Sequence, residues 1–235
     1  MSINHCRLDR FIANTYPISR RDVRLLLAQK RIKIDGIIAD DIGQIIDKFS
    51  HITLNDEIVQ ANTASYIMMH KPIGVVSATK DEQHQTVIDL LTLENKQDLH
   101  IVGRLDLNTS GLLLLTDDSR WSSKLTNPES KVEKTYQVTL KNRLTPDYID
   151  AFAQGMYFGY EDITTQPAKL SILSDYVAEV ILTEGRYHQI KRMFGRFRNP
   201  VVALHRMAIG QLILDRQLAA GENRVLTSVE VNSIF

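Results

Sequence analysis

Arg104 and Asp106 stand two residues apart in Gly103-Arg104-Leu105-Asp106-Leu107-Asn108-Thr109-Ser110-Gly111, a polar turn between two apolar segments. A carboxylate beside a guanidinium in such a place has two readings. Asp106 can do chemistry while Arg104 reaches a phosphate or stacks, or Asp106 can simply cap the turn with its side-chain oxygens, as loop aspartates commonly do. Spacing alone leaves both open. Other residues able to do chemistry lie in Lys71-Pro72-Ile73-Gly74, in Glu133-Lys134-Thr135-Tyr136, in Leu204-His205-Arg206, and in a basic run from Glu184-Gly185-Arg186 through Tyr187-His188-Gln189-Ile190-Lys191-Arg192 to Met193-Phe194.

The elements that must position them follow from hydrophobic periodicity. Leu99 to Val102 reads as a strand entering Gly103, and the four leucines 112 to 115 as a strand buried on both faces. Tyr66 to Met69 predicts a first strand, continued by Gly74 to Ser77 after a turn, and Thr86 to Leu93 predicts a short helix. Asp117 or Asp118 can cap a helix through Trp121 and Leu125, with Trp121 as a core or interface anchor. Val132, Tyr136, Val138 and Leu140 alternate on one strand face, with Lys134 the exception. Tyr148 to Met156 predicts a helix, and Ala168 to Ile172 with Val177 to Thr183 a hairpin. Ile190, Met193, Phe194 and Phe197 recur at helical spacing, with His188, Lys191, Arg192 and Arg196 off that stripe. Val201 to Leu204 is a strand, and Thr227-x-x-Glu230 a capping box.

Ahead of this, Leu8, Phe11 and Ile12 share a helix face, and Ser19-x-x-Asp22 opens a second helix carrying Val23, Leu26 and Leu27. Ile32 and Ile34 then lead through Asp35-Gly36 into Ile37-Ile38, a hairpin signal. The fold class is α+β, in three parts: a small helix-helix-hairpin module over 1–60, a small-residue linker over 61–65, and a larger domain over 66–235 with a mainly antiparallel, mixed-order sheet flanked by helices.

These segments, in this order, resemble the motifs of the pseudouridine synthases, specifically the RsuA (ribosomal small subunit pseudouridine synthase A) branch, and the N-terminal module resembles the S-four-like (alpha-L) RNA-binding module. The latter usually has a glycine closing its second helix, where this chain has Gln29-Lys30-Arg31. The resemblance implies the pseudouridine synthase fold and a cofactor-independent RNA isomerase. Asp106 would be the nucleophile, Tyr136 would stack on the flipped uracil and assist at C5, and Lys191 would contact the Asp106 carboxylate. Arg104 would insert where the base was, Leu204 would pack beside the site, and Arg192 would face substrate. Lys71-Pro72 would frame the cleft. In the module, Arg7, Arg20, Arg21, Arg24, Lys30 and Lys33 would meet RNA. The substrate implied is uridine 516 of 16S ribosomal RNA, with 23S or transfer RNA as the alternative for the same chemistry. A non-catalytic ribosome-assembly factor is the alternative of a different class.

The charge distribution agrees with a polyanionic partner. The formal net charge is zero, with 28 basic and 28 acidic residues, but Arg7 to Lys33 holds eight Lys/Arg against two acids, and Gly185 to Arg206 holds six against none. Two separated basic blocks suit a phosphate backbone gripped twice. No apolar run approaches the roughly 18 residues of a membrane span, and no signal-peptide pattern is present. The single Cys6 agrees with a reducing cytoplasm, and the seven histidines show no metal-ligand spacing. The expectation is a cytoplasmic monomer without metal or cofactor.

Overall fold

The structure, a computed structural model, describes residues 5–235; the first four residues of the expected module lie outside them. The chain divides into two compact units, residues 1–64 and 65–235.

In the first unit, α1 (Leu8–Thr15) and α2 (Arg20–Ala28) pack through Leu8, Ile12, Val23 and Leu27. The Ser19–Asp22 capping box closes in both directions, with the Asp22 amide donating to Ser19 Oγ and the Ser19 amide donating to Asp22 Oδ2. Lys30 takes the left-handed conformation (φ 58°) that glycine favours. The Lys30 amide donates to the Leu27 carbonyl and the Arg31 amide to that of Leu26, so a lysine completes the helix stop without the usual glycine. Four short strands, β1 (Ile32–Ile34), β2 (Ile37–Ile38), β3 (Ile52–Leu54) and β4 (Glu57–Gln60), form a sheet in the order β2-β1-β3-β4. Asp35 and Gly36 both have positive φ, as the two-residue hairpin requires.

The second unit is built on one twisted sheet. Its strands are β5 (Tyr66–Lys71), β6 (His100–Val102), β7 (Ser110–Thr116), β8 (Lys134–Leu140), β9 (Lys169–Ser174), β10 (Val177–Leu182), β11 (Val201–Ile209) and β12 (Asn223–Val225). The path is β9-β10-β8-β11-β7-β5-β12, with β6 pairing β7 and Leu212–Ile213 pairing β11. Among these pairings only β7 with β11 is parallel. Helices α3 (Ser119–Thr126), α4 (Asp147–Gln154), α5 (Gln189–Gly195) and α6 (Ser228–Ser233) cover the faces.

The leucine run explains itself on this sheet. Leu113 and Leu115 enter the cluster of Tyr136, Val138, Phe152 and Phe194, while Leu112 and Leu114 enter the opposite cluster of Met68, Trp121, Leu125 and Ile234. All four leucines are wholly buried, each stabilising by about 1.5–3 kcal/mol. β7 is therefore anchored on both faces, and the turn preceding it is hung from a fixed point. Asp118, not Asp117, caps α3, accepting from the Arg120 and Trp121 amides; Trp121 is core, edge-on to Tyr66.

Three expectations are corrected. Gly74 to Ser77 is not a strand: the chain turns at Ile73-Gly74 and touches Thr86 through a single bridge at Val76. Thr86 to Leu93 forms one turn instead of a helix; Asp89 accepts from the Thr86 amide and hydroxyl, which starts a helical turn, and the buried Val87, Ile88 and Leu91 fold it into the core before a second turn forms. Val132 precedes β8 and packs in the cluster opposite that of Tyr136. The helix expected from the Ile190, Met193 and Phe194 stripe forms as α5, and Glu184 to His188 ahead of it is a loop.

Candidate active site

The turn between β6 and β7 is held by three buried polar side chains. Lys71, at the end of β5 and wholly buried, donates from Nζ to the carbonyls of Pro72 (2.9 Å), Asp106 (3.1 Å) and Thr109 (2.8 Å). Ser77 Oγ donates to the Leu105 carbonyl at 2.7 Å and accepts from the Leu105 amide at 3.1 Å. Arg206, from β11, donates to the carbonyls of Leu112 (2.8 Å) and Gly103 (2.7 Å). Buried carbonyls left without donors would cost roughly 1–3 kcal/mol each, so this arrangement favours one conformation of the turn. Burial pushes the Lys71 ammonium down to about 8, against the opposing attraction of Asp106.

The same turn leaves the Asp106 side chain free to point away. Its backbone carbonyl closes the turn by accepting from the Thr109 amide, while Oδ2 lies 3.4 Å from Lys191 Nζ and 3.3 Å from His188 Nε2. The turn-capping reading of the side chain therefore gives way: Asp106 is one third exposed and faces two nitrogen groups from the 184–195 segment. Lys191 reaches it because α5 buries Ile190, Met193 and Phe194, which leaves Lys191 to line the cavity with Asp106. His188 reaches it because its backbone is left-handed (φ 50°), uncommon for a non-glycine residue.

Around this cluster lies a cavity of about 370 Å³, within the range of sites that take a small ligand. Tyr136, Leu204 and Leu182 give it an apolar wall, Asp106 and Lys191 a charged one, and Arg104 and Tyr187 stand at its exposed mouth. Tyr136 and Leu204 are 8% and 7% exposed. Strand pairing of Val138 with Leu204 and Tyr136 with Arg206 explains their proximity. The arrangement offers a negatively charged oxygen in a half-closed pocket with room for a flat ring.

The structure thus brings Arg104, Asp106, Tyr136, Lys191 and Leu204 to one cavity. Arg192 is elsewhere. It forms two 2.6 Å bonds to Glu161 and lies over the Phe158 ring, tying α5 to the hairpin of Tyr157–Phe158 and Ile163–Thr164. It follows Lys191 by one residue, about 100° further around the helix, and does not line the cavity, so the expectation that it faces substrate is corrected. The second basic block is likewise not one surface: Arg206 is buried, Arg186 pairs with Glu184, and Arg196 bonds the Tyr157 carbonyl. In the first unit Arg20, Arg21, Arg24 and Lys30 are exposed, whereas Arg7 pairs with Asp9 and Lys33 with Asp56. Sequence reasoning missed His188 at the carboxylate and the buried roles of Ser77 and Arg206. Their residue types gave a signal; the left-handed backbone and the burial did not. Among the described residues no group of acids, histidines or cysteines could hold a metal ion, and no helix is long and apolar enough to cross a membrane.

Residues 65–195 match the family model of RNA pseudouridylate synthase, and residues 6–52 that of the S4 domain. The chain belongs to the RNA pseudouridylate synthase family. This synthase is 46% identical to the ribosomal small subunit pseudouridine synthase A of Pseudomonas aeruginosa, over 97% of this chain and 100% of the relative. It is 41% identical to the protein of that name from Vibrio cholerae, over 97% and 99%. A crystal structure of a pseudouridylate synthase superposes on it with a TM-score of 0.72 at 39% identity, covering 98% of this chain and 100% of that one. The synthase is accordingly an isomerase, with an S4 domain at its N-terminus and an α+β catalytic fold.

Proposed function

We propose that this synthase converts one uridine of small-subunit ribosomal RNA, uridine 516 of the 16S molecule, to pseudouridine, with Asp106 as the nucleophile. The observation that carries the reading is the Asp106 carboxylate facing Lys191 inside a base-sized cavity walled by Tyr136. The choice of RNA is supported by the small-subunit relatives matched over nearly the whole chain.

A uridine inside folded RNA keeps its glycosidic bond within the stack, so it must be extruded, at a few kcal/mol. Arg104, exposed at the mouth, fills the vacated space and reaches phosphate. Asp106 Oδ2 then acts on the uracil ring or the ribose C1′, or promotes loss of the base through a glycal. In each case the C1′–N1 bond breaks, the uracil turns within the cavity, a C1′–C5 bond forms, C5 loses its proton and N1 gains one. Tyr136 packs against the ring, and with Leu204 it keeps out water that would divert the reaction to hydrolysis. Residues 1–60 grip RNA through Arg20, Arg21, Arg24 and Lys30, residues 61–65 link, and residues 66–235 carry the chemistry.

The test is tritium release from C5-labelled uridine in 16S transcripts. Wild type releases it, and Asp106→Asn binds the transcript and releases none. Mapping modified uridines in ribosomal RNA of cells lacking the protein names the position. Release by Asp106→Asn at the wild-type rate refutes the nucleophile assignment.

A further inference from the structure

Tyr187 is 75% exposed at the cavity mouth, against 8% for Tyr136 within. A solitary exposed tyrosine is ordinary, but this one is held. One face lies 3.9 Å from the His188 imidazole at an interplanar angle of 19°. His188 is itself fixed between its left-handed backbone and the 3.3 Å contact with Asp106. The loop behind both is tied by Gln189, 3% exposed, whose Oε1 accepts from the Arg186 amide at 3.1 Å and whose Nε2 donates to Glu184 at 2.6 Å. Strained backbone of this kind persists where surrounding contacts over-determine it, and it clusters at working sites. Three quarters of Tyr187 is left open, and the same cavity is lined by Arg104, an exposed cation with no ion pair among the described residues.

We propose that Tyr187 stacks, through its face away from His188, on the nucleobase next to the extruded uridine and so anchors the RNA at the cavity mouth. The proposal rests on the reading of the cavity as a uridine site. The cavity admits one base, so its chain neighbour has to stay outside, where an aromatic plate and a free guanidinium match a base and its phosphate. Every base has a π face, so such a contact governs affinity and placement, not base identity. Because the plate is preset by His188, little ordering is lost on binding.

The experiment measures binding of a synthetic RNA spanning the 16S segment that wild type converts, in an Asp106→Asn background that leaves the substrate intact. Adding Tyr187→Ala is expected to weaken binding about 5- to 100-fold, the usual range for one stacked base, and Tyr187→Phe to stay within about twofold. Replacing one of the two bases flanking the uridine by an abasic ribose should cost the Tyr187 protein the same factor and the Tyr187→Ala protein nothing further. Unchanged binding by Tyr187→Ala, or losses that multiply at both abasic positions, would overturn the proposal. Tritium release by the protein with Asp106 intact is followed on the same RNA. Its absence defeats the uridine-site reading and this inference with it, whereas release with unchanged Tyr187→Ala binding defeats the inference alone.

Discussion

Lys191 Nζ lies 3.4 Å from Asp106 Oδ2, joining residues 85 positions apart in the chain. The ammonium attracts the carboxylate and aims it into the cavity without occupying both of its oxygens. Lys191→Met keeps the side-chain volume and removes the charge. Losing one such preorganised electrostatic partner typically lowers kcat about 10²–10³-fold, and that is the expected result in single-turnover assays. RNA affinity should fall far less. Lys191→Arg should recover part of the rate, since the charge returns with a different shape.

Tyr136 offers a separation of ring from hydroxyl. No described residue hydrogen-bonds that hydroxyl, and the side chain lines the cavity. With the hydroxyl assisting proton loss at C5, Tyr136→Phe should fold normally, bind RNA normally and slow the step that follows base reattachment by about 10²–10⁴-fold, the usual range for general acid–base groups. Tyr136→Ala removes a buried ring as well and should destabilise by about 3–5 kcal/mol. Accumulation of an uncompleted adduct with Phe, seen by mass spectrometry, is the discriminating observation; full activity of Tyr136→Phe contradicts the hydroxyl's role.

Lys71 predicts an alkaline limit to activity. With the ammonium pushed down to about 8 by burial, raising the pH through that value removes one of three N–H donors from the carbonyls of Pro72, Asp106 and Thr109. The turn loosens and kcat falls. Stability moves the other way over the same window. Between about 8 and the ordinary 10.5 the folded state binds fewer protons than the unfolded one, so this group's contribution to stability rises with pH. A rate that falls above pH 8 while the melting temperature holds separates local loosening from unfolding. A flat rate profile to pH 9.5 contradicts it.

Much of this was legible in the chain. The leucine run, the Asp35-Gly36 hairpin and the capping boxes at Ser19 and Thr227 depend on neighbours in sequence, and each forms as its residues predict. The cavity residues Arg104, Asp106, Tyr136, Lys191 and Leu204 came from resemblance; spacing left Asp106 as a possible turn cap. What stayed hidden depends on distant partners. Arg206 reads as a surface cation until β11 pairs with β7 and buries it, Thr86 to Leu93 reads as a helix until the core claims its apolar side, and Arg192 reads as a substrate contact until Glu161 arrives from another hairpin. For Arg192 the consequence is testable: Arg192→Ala should leave the single-turnover rate at saturating enzyme within about twofold, as for surface changes away from the chemistry, while the Tyr157 to Thr164 hairpin becomes easier to cleave by protease. A hundredfold loss of rate would restore Arg192 to the cavity.

Gly111 sits where the parallel pair meets. Its φ is +112°, and a Cβ there would lie 2.3 Å from the Arg206 carbonyl oxygen and 2.5 Å from the Arg206 amide nitrogen. Both are backbone atoms of β11, so no side-chain rotation relieves the clash. Gly111→Ala must push β7 from β11, which separates the Asp106 turn from the strand that supplies Leu204 and Arg206. The expected cost is about 3–5 kcal/mol, at the severe end for one substitution, or a melting temperature lower by roughly 6–20 °C for a unit of this size. Gly74 provides the control. Its φ is +79°, but nothing lies within 4 Å of an added Cβ, so Gly74→Ala meets backbone strain alone, about 1–3 kcal/mol. Thermal melts followed by circular dichroism should rank Gly111→Ala well below Gly74→Ala, and equal melting temperatures would mean that the close approach of the two strands does not hold the site together.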